Sequence, residues 1–542
     1  MASLAPASGP GANIRLFAQP RGGRAKLRVG VFADRAGQPR WLVEALAKVA
    51  ASEFAELAYV AIEGEGAAPR PGEPLPWRAY RTVDRWVFGV GGDPCAEADI
   101  ALLVPASRRI APSEATPVDV AFVASGPEDA APQGLARYGA WRYCFGEGEV
   151  IEVPLAGVRE LLEAAPVTGS GIRIRRPGDA ADRLASVSWS RIVPFSFARS
   201  RDNMLAKSAD FLARTLRELH AHGAPWLEQA TVPARALGRP AFPRGAALAA
   251  NLARLGARVA QRAAEHKLTI GQWQIAWRFA EKEPWTGSLD GFRRLVPPKD
   301  RFWADPFPIE ANGRHYIFFE ELPFAAGKAH ISVVEVDRSG RVSEPVPVLV
   351  RDYHLSYPFL VEEGGALYMV PETAENRTIE AYRCVEFPHR WKLEKVLVRD
   401  VRCADATFHR DADRWWMFTT MGRDSGELND ELAIFHADRF LGDWKPHRRN
   451  PVKSDVRGAR PAGRLFRLGN ALYRPGQVCT PIYGSAIALN RVTRLDEREY
   501  AEEEARRIVP AASDAVIGLH TINRVGPLSV TDVFLRRPRF GA

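Results

Sequence analysis

Two aspartates, Asp305 and Asp405, open segments of one design, DPFPIEANGRHYIFFE and DATFHRDADRWWMFTT, and so hold equivalent places in a repeat. Two carboxylates at one pocket are what sugar transfer needs, one handling the leaving oxygen and the other the attacking oxygen. Asp-Pro at a strand start is also a turn device, so it is the pairing with Asp405 that moves Asp305 toward chemistry. Glu320 and Glu372 close the second strand of their segments, and either can serve as a proton donor if the strand ends meet at one opening. Arg460, Arg464, Arg474 and Gln477 add planar donors that match phosphate or carboxylate oxygens. The plain alternative is that these arginines form salt bridges with Glu320, Glu372 or Asp405 in a packed interior. His354, just ahead of the second segment, and Tyr357, which opens it, are further candidates for ligand contact.

The elements that must position these groups are repeated. Segments starting at 305, 357, 405 and 462 each read as a short apolar strand, a polar turn and an aromatic strand, and their starts are 52, 48 and 57 residues apart. A four-stranded propeller blade with its loops takes roughly 40 to 50 residues, so this is a blade-sized period. A fifth blade is expected at about 505 to 540, closed by a strand around Trp273–Arg278, because an open blade edge would template aggregation. Trp285, Trp303, Trp391, Trp415, Trp416 and Trp444 could stack on sugar rings, although neighbours such as Trp415 and Trp416 must face opposite sides of a strand.

At 542 residues, 46% hydrophobic and 26% charged, the chain predicts at least two globular domains. Residues 1–25, rich in Gly, Pro, Ala and Arg, are expected to be disordered. Residues 26–221 read as an open α/β sheet: a strand at Leu27–Ala33, a helix at Trp41–Val49, strands at Leu57–Ile62, Asp99–Val104 and Val118–Val123, and a helix from Arg199 to Leu219. The turn after the first strand lacks the GxGxxG pattern, so no dinucleotide site is expected. Residues 222–270 form a linker with a basic helix at 246–267, whose apolar side (Leu248, Leu252, Leu255, Val259) suits packing between domains, with peripheral membrane contact as the alternative. Residues 271–542 are the propeller. The net charge of +9 is spread rather than blocked, which argues against a nucleic-acid partner. Five scattered cysteines without CxxC spacing exclude a zinc framework, and with no membrane span or secretory leader the expected address is cytoplasmic.

The Trp303-Ala304-Asp305-Pro306 start, the blade register and His520 in Gly518-Leu519-His520-Thr521 resemble the five-bladed propellers of the arabinanase, xylosidase and invertase superfamily. Residues 272–540 are more closely similar to the N-terminal propeller domain associated with glucosamine inositolphosphorylceramide transferases. The resemblance implies that Asp305 acts as base or nucleophile, that Asp405 orients and tunes an acid, and that a divalent cation sits near His520 through water. No other cofactor is implied. The superfamily's acidic glutamate corresponds to Arg460, which cannot donate a proton near neutrality. This favours a transferase handling an anionic sugar, with a sugar donor and a glycan or glycolipid acceptor as partners, because a phosphate leaving group departs as a stabilised anion. A hydrolase using Asp305 with Glu372 or Glu320, and a non-catalytic glycan-binding scaffold, are the alternatives. The stretch Ala136–Glu147, with Pro166–Gly169 and Ser196–Leu219, resembles formyltransferase-like domains. Cys144 and Phe145 replace the histidine that formyl transfer needs, which implies a degenerate relative, with formyl transfer to an amino sugar as a fourth reading.

Overall fold

The structure, a computed structural model, describes residues 24–540 apart from 64–73, 128–129, 133, 147–154, 177, 180, 234–242, 281–288, 412–413, 423–425 and 512–514. Nearly all of the tail expected to be disordered, the proline-rich middle of the linker and Trp285 therefore lie outside the described residues. Two compact units divide the chain, one mainly from residues 19–263 and one mainly from 264 onward.

The second unit is a ring of five antiparallel blades. Blade I comprises Arg301–Ala311, Arg314–Pro323, His330–Val336 and Val346–Leu349, and blade II comprises Ser356–Glu363, Ala366–Thr373, Thr378–Glu386 and Arg390–Arg399. Blade III runs Cys403–Asp411, Arg414–Met421, Glu431–Ala437 and Lys445–Pro446, with Lys453–Ser454 also pairing to its third strand. Blade IV takes Phe466–Leu468, Ala471–Val478, Ala486–Leu495 and Tyr500–Ile508. Blade V is composite: Ile522–Val525 and Leu528–Pro538 are joined by Thr269–Phe279 and Arg293–Leu295 from the start of the unit. Thr269–Phe279 pairs antiparallel with Leu528–Pro538 in unbroken register from Thr269↔Pro538 to Phe279↔Leu528. That zipper closes the ring and removes the free edge.

The fifth blade begins later than the repeat suggested. Tyr500–Ile508 is the outer strand of blade IV, where Glu503 pairs with Arg491 and Glu502 with Lys453. The tryptophans serve packing: Trp415 and Trp416 face opposite sides and both are buried, Trp415 with Phe440 and Trp416 beside Tyr500. Trp303, Trp391 and Trp444 are buried as well.

The first unit is an eight-stranded sheet flanked by helices. Leu27–Ala33 lies parallel between Ala55–Ile62 and Val120–Val123; Ala140–Phe145 continues parallel, and Val167–Arg175 and Arg183–Arg191 extend the sheet antiparallel. The chain order reverses between the first strand and Val120–Val123, the place where open α/β sheets hold ligands. Here side chains from both sides of that place are bonded to one another. Ser125 hydrogen-bonds Asp34, and Gln38 Nε2 donates to Ser125 Oγ at 2.8 Å and to the Arg35 carbonyl at 2.9 Å. Cys144 is buried, and burial pushes its thiol up to about 12, which suits a packing role rather than a nucleophile.

Three local expectations change. Asp99–Val104 forms no strand but a short strand Glu97–Asp99 followed by a 3₁₀ turn, capped by Asp99 accepting from Ala101 N. The helix expected from Arg199 is two helices, Phe197–Ser208, capped by Ser196, and Phe211–His222. The helix Gly245–Leu268 buries Leu248 and Leu255 against Trp77, Val158, Leu161 and Phe197, so its apolar side is used within the α/β unit. No helix among the described residues is long and apolar enough to cross a membrane.

Candidate functional site

The first strand of each of blades I to III breaks at a bulge. Register slips between Ala304 and Phe307, Ser356 and Phe359, and Ala404 and Thr407, and the residue at each slip is left-handed: Asp305 (φ 50°), Tyr357 (φ 46°) and Asp405 (φ 56°). Such a conformation costs about 1–3 kcal/mol at a non-glycine residue, so each bulge must be over-determined by its surroundings. Ahead of blade IV the positive-φ residue is Gly463 (φ 120°), which adopts that conformation without the cost. The bulges at Asp305 and Asp405 carry their carboxylates to hydrogen-bond partners on other blades, whereas Tyr357 turns into the blade interior. The second strands add a matching tier opposite them: Glu320, Glu372, Thr420, Gln477 and Asp532.

Asp305 lies in a buried network across the ring closure. Its backbone N–H donates to Asp532 Oδ2 at 3.0 Å, and Thr521 Oγ1 donates to Asp305 Oδ1 at 2.6 Å. His520 is placed between the acids, with Nδ1 2.7 Å from Asp532 Oδ2 and Nε2 3.5 Å from Asp305 Oδ1. Burial pushes the Asp305 carboxyl up to about 7; His520 opposes the rise while Asp405, Glu320 and Asp532 add to it. Burial would lower His520, but Asp532 and Asp305 outweigh it and hold it up at about 9. Trp273, from the closing strand, stacks on His520 with centroids 4.0 Å apart.

Asp405 lies in the second cluster. Arg460 clasps it with Nε to Oδ2 at 2.6 Å and Nη2 to Oδ1 at 3.2 Å, and Gln477 Nε2 donates to Oδ2 at 2.7 Å. The same guanidinium reaches Glu372 at 3.4 Å and Asn429 Oδ1 at 3.2 Å. Burial raises the Glu372 carboxyl to about 8; Arg460 pulls against this, and Asp405 adds to it. Glu320 pairs with His354 at 3.2 Å, and His354, which burial would lower, is held up at about 9 by Glu320 and Glu372. Tyr483 lies between the clusters: its ring is 5.1 Å beneath Arg460 and edge-on to His520 at 5.2 Å, and Asp405 and Asp305 both act on its hydroxyl.

The structure therefore brings together Asp305, Asp405, Glu372, Glu320, Arg460, Gln477, His354 and His520. Three other expected residues are elsewhere. Arg474 is fully buried, bidentate to Glu502 at 2.7 Å for each bond, and donates to the Gly458 and Ala459 carbonyls, so no ligand reaches it. Tyr357 is buried, its hydroxyl fixed by Thr407 Oγ1 and Gly463 N at 2.7 Å each; it braces the blade interior. Arg464, next to Gly463, lies between Phe359 and Phe307, donates to the Leu360 carbonyl at 2.7 Å and pairs with no carboxylate among the described residues. Burial draws it down to about 10.

Sequence reasoning missed Tyr483, Asp532 and Asn429. Asp532 carried a signal, being an acid inside the apolar run Leu528–Leu535; Tyr483 and Asn429 belong to loops outside the repeat. Asp305, His520 and Asp532 place one ligand atom each within 4.8 Å, the geometry of a cation site. Asp532 is largely committed to the protein, its Oδ1 accepting from the backbone N–H groups of His520 and Thr521 and its Oδ2 from Asp305 N–H. Asp305 and a neutral imidazole at His520 are the groups that would hold a cation there.

Comparison with known proteins agrees with the resemblance of the propeller half. Residues 296–516 match the family model described as glucosamine inositolphosphorylceramide transferase 1, N-terminal. The chain is 34% identical over 206 residues to glucosamine inositolphosphorylceramide transferase 1 of Arabidopsis thaliana and 35% identical over 205 residues to that of Oryza sativa subsp. japonica. These matches span 38% and 37% of this chain and 27% of each relative, so about a quarter of the relatives' length is represented. Among solved structures it is similar to Zg3597, a family 117 glycoside hydrolase of Zobellia galactanivorans, at 13% identity and a TM-score of 0.32, over 48% of this chain and 90% of that one. The family match takes in Asp305 through Tyr483 and ends before His520 and Asp532.

Proposed function

We propose that the propeller opening is a sugar site, and that the chain acts in glycosyl transfer during glycolipid or cell-surface glycan assembly. Its similarity to proteins named for transfer to an inositolphosphorylceramide supports that setting. The observation that carries the chemistry is the sharing of Arg460 between Asp405 and Glu372. One guanidinium cannot hold two buried carboxylates ionised, so Glu372 keeps its proton to about 8 and is fitted to give it to a departing oxygen. Asp305, near 7, is fitted to take a proton from an attacking hydroxyl. Asp405 then orients and tunes Glu372, in place of the glutamate that Arg460 supplants.

The test is transfer of labelled sugar from nucleotide-sugar donors to inositol-phosphate lipid acceptors. Glu372→Gln and Asp305→Asn should each lower turnover by about 10²-fold or more, the usual yield of a positioned acid or base. Hydrolysis of simple arabinosides or xylosides by the wild-type chain in place of transfer would overturn the reading. So would undiminished transfer by both variants.

A further inference from the structure

The helix Leu75–Phe88 is amphipathic in the wrong direction for a helix that serves only its own core. Its inner face is already filled: Trp77 is buried against Phe197 and Tyr80, and Asp84 is buried and accepts from Ala198 N at 2.6 Å. The outer face nevertheless carries Val83, Trp86 and Val87, spaced i, i+3, i+4 and 59%, 86% and 52% exposed, and Val90, two residues past the helix end, is 62% exposed. Apolar residues at that spacing ordinarily mark a buried stripe. An indole standing almost wholly in water among three valines is a contact surface awaiting a partner.

We infer that this face docks on a lipid bilayer bearing anionic headgroups. The charge around the stripe selects that occupant. The helix carries Arg78, Arg81 and Arg85, and its single acid is the buried Asp84. Arg85 is engaged by Asp202, while Arg78 stands exposed. The helix Gly245–Leu268, packed on the same cluster through Leu248 and Leu255, adds Arg254 and Arg262 and carries no acid before Glu265, while Arg258 is turned inward to the Leu161 and Pro194 carbonyls. Tryptophan and short aliphatic side chains rimmed by arginine suit the headgroup region, where the indole enters the boundary layer and the guanidinium groups meet phosphates. The inference concerns the α/β unit and is independent of the chemistry assigned to the propeller.

Cosedimentation of the full chain with vesicles tests it. Wild type should pellet with phosphatidylcholine vesicles that contain phosphatidylglycerol, far less with phosphatidylcholine alone, and binding should weaken as salt screens the arginines. The double variant Trp86→Ser, Val90→Ser should keep its thermal melt and lose about tenfold in vesicle partition, since most of the inserted apolar surface is gone. Equal binding of variant and wild type would overturn the inference, and so would binding indifferent to phosphatidylglycerol or absent from both vesicles. A wild-type dimer that the double variant dissolves, without vesicle binding, would assign the face to a second copy of the chain and overturn it as well.

Discussion

Arg474 and Arg460 stand on the same blade, Arg474 buried and Arg460 half-buried, both facing acids, yet their surroundings differ in one count. Arg474 meets a single carboxylate, Glu502, through two bonds of 2.7 Å, and Lys453 at 2.7 Å and the Tyr500 hydroxyl complete the shell. Burial would raise Glu502, but Arg474 and Lys453 outweigh it and hold the carboxyl at about 2. Arg460 is divided between Asp405 and Glu372, and burial wins at Glu372, which rises to about 8. Where cations outnumber the acid, the carboxyl stays ionised in a buried wall. Where acids outnumber them at the end of a ring, a carboxyl keeps a proton it can give away.

The largest effect expected from this contrast is on stability. Arg474→Met leaves Glu502 buried beside Lys453 alone and should cost about 3–5 kcal/mol in urea unfolding, the range for breaking a buried pair. Arg460→Met should cost about 1–3 kcal/mol, because Glu372 can stay neutral and Gln477 still donates to Asp405, while sugar transfer falls by about 10²-fold. Equal stability losses at the two sites would break the comparison.

The contrast was only partly legible in the sequence. The repeat announced Asp305 and Asp405 in register, and the closing strand at Trp273–Arg278 was readable because a ring needs one. Arg474 was grouped with Gln477, although residues three apart on a strand face opposite sides; that parity was a usable signal. Tyr357 shares the register of Asp305 and even its left-handed backbone, but an aromatic ring at that place turns into the blade interior rather than the opening. In the α/β unit, the sheet and the helix Arg40–Ala50 followed from periodicity. The bonding of Ser125 to Gln38 and Asp34 did not, because it joins residues far apart in the chain.

Acid and alkaline limbs of stability should separate the wall from the opening. Glu502 lies below its ordinary 4.5, so its contribution is present above 4.5 and is lost as pH falls toward 2. Glu372 and Asp305 lie above theirs, so their contributions are full at low pH and are lost as pH rises through about 8 and about 7. His354 and His520 act in the same sense, with stability lost as pH rises from 6.5 through about 9. Thermal melts across pH should therefore show Glu372→Gln flattening the alkaline limb by about 1–3 kcal/mol while leaving the acid limb in place. An unchanged alkaline slope in that variant would mean that Glu372 is ionised in the folded protein.

The smallest effect, and the sharpest on the geometry of the opening, belongs to Tyr483. Its ring supports Arg460 from below and abuts His520, so it is the side chain that spans the Asp405 and Asp305 clusters. Tyr483→Phe keeps the ring and should leave unfolding within about 0.5 kcal/mol of wild type, as for changes that remove neither packing nor a buried pair. Tyr483→Leu removes the face beneath the guanidinium, a contact of roughly 0.5–2 kcal/mol, and should weaken sugar binding up to about tenfold. If the phenylalanine variant loses as much binding as the leucine one, the hydroxyl rather than the ring is the contribution of Tyr483. The two clusters would then be joined through a hydrogen bond made only when ligand is present.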